Sequence, residues 1–68
     1  MDSEPTPIPF DLLAAPAQRA LRGAGYSTLE QLTTTRAREL ASLHGFGPSA
    51  IDTLRQVLRE HEMSFAGD

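Results

Sequence analysis

The chain has no cysteine and no lysine. Without cysteine there is no disulfide and no thiolate metal site, and nothing marks an oxidising compartment. Without lysine no lysine-bearing phosphate loop can be built. Nor do the remaining residues assemble a Ser-His-Asp or Cys-His set, or a pair of carboxylates across a cleft. Its two histidines, His44 and His61, stand far apart and without clustered carboxylates, which is poor ground for a metal centre. The inventory predicts no catalysis, no cofactor, no metal and no small-molecule substrate. Long apolar runs are also missing: nothing approaches the ~20 residues of a membrane span, and no basic segment followed by an apolar run opens the chain. The expectation is a cytoplasmic protein without a membrane partner.

What is present fits one small domain. At 68 residues almost every apolar side chain is needed for the core, which leaves no room for an enzyme cleft. The formal net charge of -3 argues against a polyanion partner, but the charge is unevenly spread. Residues 1–11 sum to -3, residues 12–38 to +3 and residues 39–68 to -3. All six basic residues are arginine, a side chain suited to bidentate phosphate contacts, although codon usage explains the bias as readily.

Pro5, Pro7 and Pro9 among polar and acidic residues predict an extended, disordered tail over residues 1–9. Order is expected from Phe10, with Leu12 and Leu13 as first core contacts. Pro16 then opens a helix through Ala24 with Ala17, Ala20, Leu21 and Ala24 on one face, and Gly25 ends it with Tyr26 folding back. Ser27 and Glu30 have the spacing of a capping box for a short helix through Leu32. Thr33, Thr34 and Thr35 interrupt it, and a third helix restarts near Arg36, burying Leu40, Ala41 and Leu43. A last helix is expected from Pro48 to Glu62 with Ala50, Ile51, Leu54, Val57, Leu58 and His61 as its buried stripe, closed by Met63 and Phe65.

The most informative stretch is Leu43-His44-Gly45-Phe46-Gly47-Pro48-Ser49-Ala50-Ile51. Two glycines one residue apart permit a sharp turn with no Cβ in the way, and Pro48 suits a first helical position. The amides of Gly45, Gly47, Ser49 and Ala50 would then face outward at a helix N-terminus, where anions bind. The bland alternative is an interhelical corner with Phe46 in the core and nothing bound. Sliding the chain by 22 residues lays Leu21, Gly23, Gly25, Ser27 and Leu32 over Leu43, Gly45, Gly47, Ser49 and Leu54, as two hairpins of one kind would.

Leu43 to Ile51 resembles the helix-hairpin-helix DNA-binding motif throughout. A longer stretch, Leu13 to Phe65, resembles the C-terminal domain of the bacterial RNA polymerase α subunit, in the Arg19–Tyr26 helix end, Thr28–Leu32, the Phe46-Gly47 turn and Met63-Ser64-Phe65. The resemblance implies a compact all-α, SAM-like fold of four helices in a tandem helix-hairpin-helix over residues 10–66. It also implies contact with duplex DNA through its phosphate backbone. Three contact positions of that family depart here: Pro16 stands for an arginine, Arg19 for an asparagine and Ser49 for a lysine. Gly47 is retained. The expected interface comprises Gly23, Gly25, Gly45, Gly47 and Ser49 through their amides and Arg19, Arg22, Arg36 and His44 through charge. Arg36 and Arg38 oppose the dipole of the third helix, so a phosphate, or an ion pair with Glu30 or Glu39, would favour them. The competing expectation is a protein-interaction module on the same scaffold that has lost DNA binding, with a partner such as the transcription machinery.

Overall fold

The computed structural model describes residues 4–68, and the first three residues of the expected tail lie outside it. Four α-helices follow one 3-10 turn at Phe10–Leu12: α1 (Ala15–Gly23), α2 (Leu29–Leu32), α3 (Ala37–Ala41) and α4 (Pro48–Glu60). Among the described residues there is no strand, and no helix is long and apolar enough to cross a membrane. The fold is all-α.

The core is mainly leucine. Leu21 from α1, Leu29 and Leu32 from α2, Leu40 from α3, Leu54 and Leu58 from α4, and Phe65 beyond it are all almost wholly buried. Removing a side chain of this size from a packed interior costs about 2–5 kcal/mol, so the short helices α2 and α3 owe their stability to these contacts. Neither has the length to persist alone.

Helix α1 begins one residue before Pro16 and ends at Gly23, with Ala17 and Leu21 buried. Its end is a Schellman motif. Gly25 takes φ +91° and donates its amide to Arg22 at 3.1 Å, while Tyr26 donates to the Leu21 carbonyl at 2.9 Å. Ala24, expected on the buried face, lies past the helix end and is exposed. The cap of α2 is one residue later than expected: Thr28, not Ser27, is the N-cap, and Gln31, not Glu30, completes the box. Gln31 Oε1 accepts from both Thr28 and Ser27, at 2.9 and 2.7 Å. The three threonines end α2 by turning their hydroxyls back onto its carbonyls.

Arg36 is the N-cap residue of α3, and Glu39 accepts the Arg36 amide at 3.4 Å. Of the expected ion pairs with Glu30 or Glu39 there is none, because those carboxylates are turned to backbone amides. Among the described residues only Arg55 forms ion pairs, with Asp68 at 3.0 Å and Asp52 at 3.9 Å. Ala41 is exposed, so Leu40 carries the buried side of α3 with Leu43 partly covered. Helix α4 buries Ala50, Ile51, Leu54, Val57 and Leu58. His61, expected in that stripe, is the exposed C-cap, since the chain leaves the helix there through Glu62 at φ +60°. Met63 closes this second Schellman motif with an amide bond of 2.8 Å to Leu58.

The largest departure from expectation is at the start. Residues 6–8 are extended, as the prolines demand, but not free: Ile8 is 3% exposed and belongs to the core. Its amide donates to the Ser27 carbonyl at 3.0 Å, and Leu29 donates to the Thr6 carbonyl at 2.8 Å. In an extended chain alternate residues face one way. Pro5 and Pro7 therefore face solvent while Thr6 and Ile8 face the body, so the missing proline amides are not needed for pairing. Leu12 is a further correction. It is 58% exposed while its neighbour Leu13 is buried, because a single 3-10 turn presents only one of the two to the core.

Candidate functional site

Two glycine turns were expected to act alike, and they differ in conformation and in free donors. Within these turns the glycines with positive φ are Gly25 and Gly45, at +91° and +89°, each followed by an aromatic residue packed on the core. Gly23 is helical and Gly47 is an extended N-cap with φ -100°. The 22-residue alignment thus pairs glycines of unlike conformation, and the like ones, Gly25 and Gly45, are two residues closer together than that.

In the first turn every amide near the glycines is used. Gly23 lies within the α1 ladder, Gly25 donates to Arg22, Ser27 and Thr28 donate to Gln31, and Leu29 donates to Thr6. The expectation that Gly23 and Gly25 offer amides to a ligand is therefore overturned. The Schellman cap, the Gln31 side chain and the N-terminal segment satisfy this turn from within.

The second turn is open. Phe46 donates to Leu43 at 3.1 Å, closing the turn and sending the ring to a 5% exposed position. Ala50 and Ile51 both donate to the Gly47 carbonyl, at 3.1 and 3.3 Å, which removes Ala50 from the expected free donors. Among the described residues the amides of Gly45, Gly47 and Ser49 have no hydrogen-bond partner. Gly45 is pressed onto α1: a Cβ there would lie 3.2 Å from both the Cβ and the carbonyl oxygen of Pro16. Pro16 thus serves as the seat of the turn. Above Gly47 there is open space, with nothing within 4 Å of a Cβ.

Arg19 and His44, both exposed, line a groove with Pro16, Ala20 and Gly45. A smaller groove on the other side of the turn is bordered by Leu12, Ala14, Gly47, Ser49 and Thr53. No carboxylate lines either one. Arg22 and Arg36 are not part of this assembly. The Arg22 guanidinium sits 4.5 Å from the centroid of the Phe10 ring, a cation–π contact that fixes it on the 3-10 turn. Arg36 lies beside Gly67, in a groove with Arg38, Ala66 and Asp68. Of nine expected site residues, Arg19, His44, Gly45, Gly47 and Ser49 come together and Arg22, Gly23, Gly25 and Arg36 do not. Leu12 and Thr53 border the same turn and were missed. Leu12 reads as core from its neighbour Leu13, and Thr53 has no signal beyond its place one helical turn after Ser49.

No known protein family's model matches this sequence, and no curated protein or solved structure is significantly similar to it.

Proposed function

We propose that the chain is a small DNA-binding domain of the helix-hairpin-helix kind that holds the phosphate backbone through its second turn alone. One observation carries this reading: three unpartnered amides, Gly45, Gly47 and Ser49, stand beside Arg19 and His44 on a surface without carboxylates. Outward amides at the start of a 13-residue helix suit an anionic oxygen. Backbone contacts position a protein without reading bases, so binding is independent of sequence. With one or two cations engaged, the log–log salt slope is about -1 to -2 and the dissociation constant falls in the ~1 to 100 μM range. The net charge of -3 places it toward the weak end.

Fluorescence anisotropy of a short labelled duplex tests this. At low salt the chain binds, tenfold dilution of salt strengthens binding with the shallow slope above, and Arg19→Glu removes it. Absence of binding at low salt sinks the reading. The interaction-module reading is favoured by a different feature, an apolar groove between α3 and α4 formed by Ala37, Ala41, Phe46, Pro48 and Ile51 and flanked by Arg38, Asp52 and Arg55. It predicts no response to DNA and a protein partner lost on reversing the charge of Arg38.

A further inference from the structure

The N-terminal segment is fastened to the body by one polar latch and one apolar plug. Thr6 donates its amide to Glu30 Oε1 at 2.8 Å and its hydroxyl to Glu30 Oε2 at 3.0 Å, and its carbonyl accepts the Leu29 amide. A single residue thus engages both oxygens of one carboxylate. Two residues later Ile8 fills its place in the core. Hydrogen bonds from Thr6 and from its own amide hold the Glu30 carboxyl below the ordinary range, helped by a weaker electrostatic pull from His61. The latch is therefore built around a full negative charge at neutral pH.

We infer that Thr6 is a modification site, and that a phosphoryl group on its Oγ1 releases residues 6–8 from α2. The acceptor is half-buried in extended backbone between exposed Pro5 and Pro7, and its hydroxyl is held only by the exposed Glu30, so the Thr-Pro step comes within reach of an enzyme when that bond opens. A protein kinase would supply the group from a nucleoside triphosphate. The Oγ1–P bond forms, the bond from that phosphorus to the diphosphate oxygen breaks, the nucleoside diphosphate leaves, and the hydroxyl proton passes to the kinase's base. Phosphothreonine carries a charge of about -1.5 to -2 at pH 7 and no longer donates from Oγ1. It would face Glu30 across a hydrogen-bond distance, so attraction becomes like-charge repulsion. This inference stands independently of the DNA reading.

The test uses the full chain prepared by chemical synthesis with threonine or phosphothreonine at position 6. Amide hydrogen exchange at fixed pH is followed at Ile8 and Leu29, whose bonds to Ser27 and Thr6 hold the segment in place. Phosphorylation is expected to speed both by about tenfold or more while Leu54 and Leu58 keep their rates, as local opening requires. Glu30→Gln in the phosphorylated chain restores most of the protection. Rates within about twofold of the unmodified chain, as when His61 receives the phosphate and keeps the segment closed, overturn the latch. The acceptor is tested separately with a proline-directed kinase and ATP. One phosphoryl group at Thr6 is expected, added faster in Glu30→Ala, and no phosphate at Thr6 in either chain overturns the assignment.

Discussion

The turns at Gly25 and Gly45 share a left-handed glycine and a following aromatic residue, yet one is closed and the other open. After Gly25 the chain runs through Ser27 and Thr28 before α2 begins, and Gln31 and Thr6 take up the amides of that stretch. After Gly45 only Phe46 and Gly47 intervene before Pro48, and neither glycine has a side chain to turn inward. The difference lies in what surrounds the glycine. Gln31, six residues after Gly25, closes the first turn, and the residue at that distance from Gly45 is the apolar Ile51, so the second turn's donors are left facing out.

Substitution at the two glycines should separate the turns most sharply. Gly25→Ala introduces only the left-handed cost of about 1–2 kcal/mol, since a Cβ there meets nothing within 4 Å. Gly45→Ala adds contacts of 3.2 Å to Pro16, so its loss of stability should exceed that of Gly25→Ala by about 1 kcal/mol in urea unfolding. Equal losses would mean the second turn does not sit on α1. Next, Thr28→Ala should cost about 1 kcal/mol through the lost cap, while Ser27→Ala stays within about 0.5 kcal/mol. The reverse ranking would restore the Ser27–Glu30 box.

A smaller effect concerns pH. Glu30's carboxyl is lowered chiefly by the Thr6 amide, so its share of stability is complete above the unfolded glutamate pKa of ~4.3. It fades as pH falls through the lower folded value. The Thr6 amide resonance should hold steady from neutral pH to about 5 and move only below the ordinary glutamate range. Movement near pH 6 would contradict the latch. Smallest of all, Gly47→Ala should leave stability within about 0.5 kcal/mol, because its backbone is extended and its surroundings open. It should nevertheless weaken DNA binding by placing a methyl group over the free amides, and unchanged binding would remove Gly47 from the site.

Much of the scaffold was legible because it depends on spacing. The leucines of α4, the Gly25-Tyr26 helix end and the break at the threonines all follow from local rules and recur in the structure. What could not be read depends on partners distant in sequence. Ser27 and Thr28 are equally good caps on paper, and Glu30's engagement by Thr6, 24 residues earlier, decides between them by leaving Gln31 to close the box. The fate of residues 6–8 likewise turns on whether Ile8 finds a place between elements that form later in the chain. In the candidate site, Gly45, Gly47 and Ser49 were legible from the Gly-Phe-Gly-Pro-Ser order alone. Arg22 and Arg36 were not excluded by sequence, because proximity to Phe10 and Gly67 is a tertiary fact.

On the proposed function, one turn is open to an anion and the other is not. A single amide-resolved titration of the 15N-labelled chain with a short duplex at low salt tests it directly. The resonances of Gly45, Gly47 and Ser49 should move and recover at high salt, while those of Gly23 and Gly25 stay in place. Equal movement at both turns, or none at Gly45 to Ser49, would contradict it.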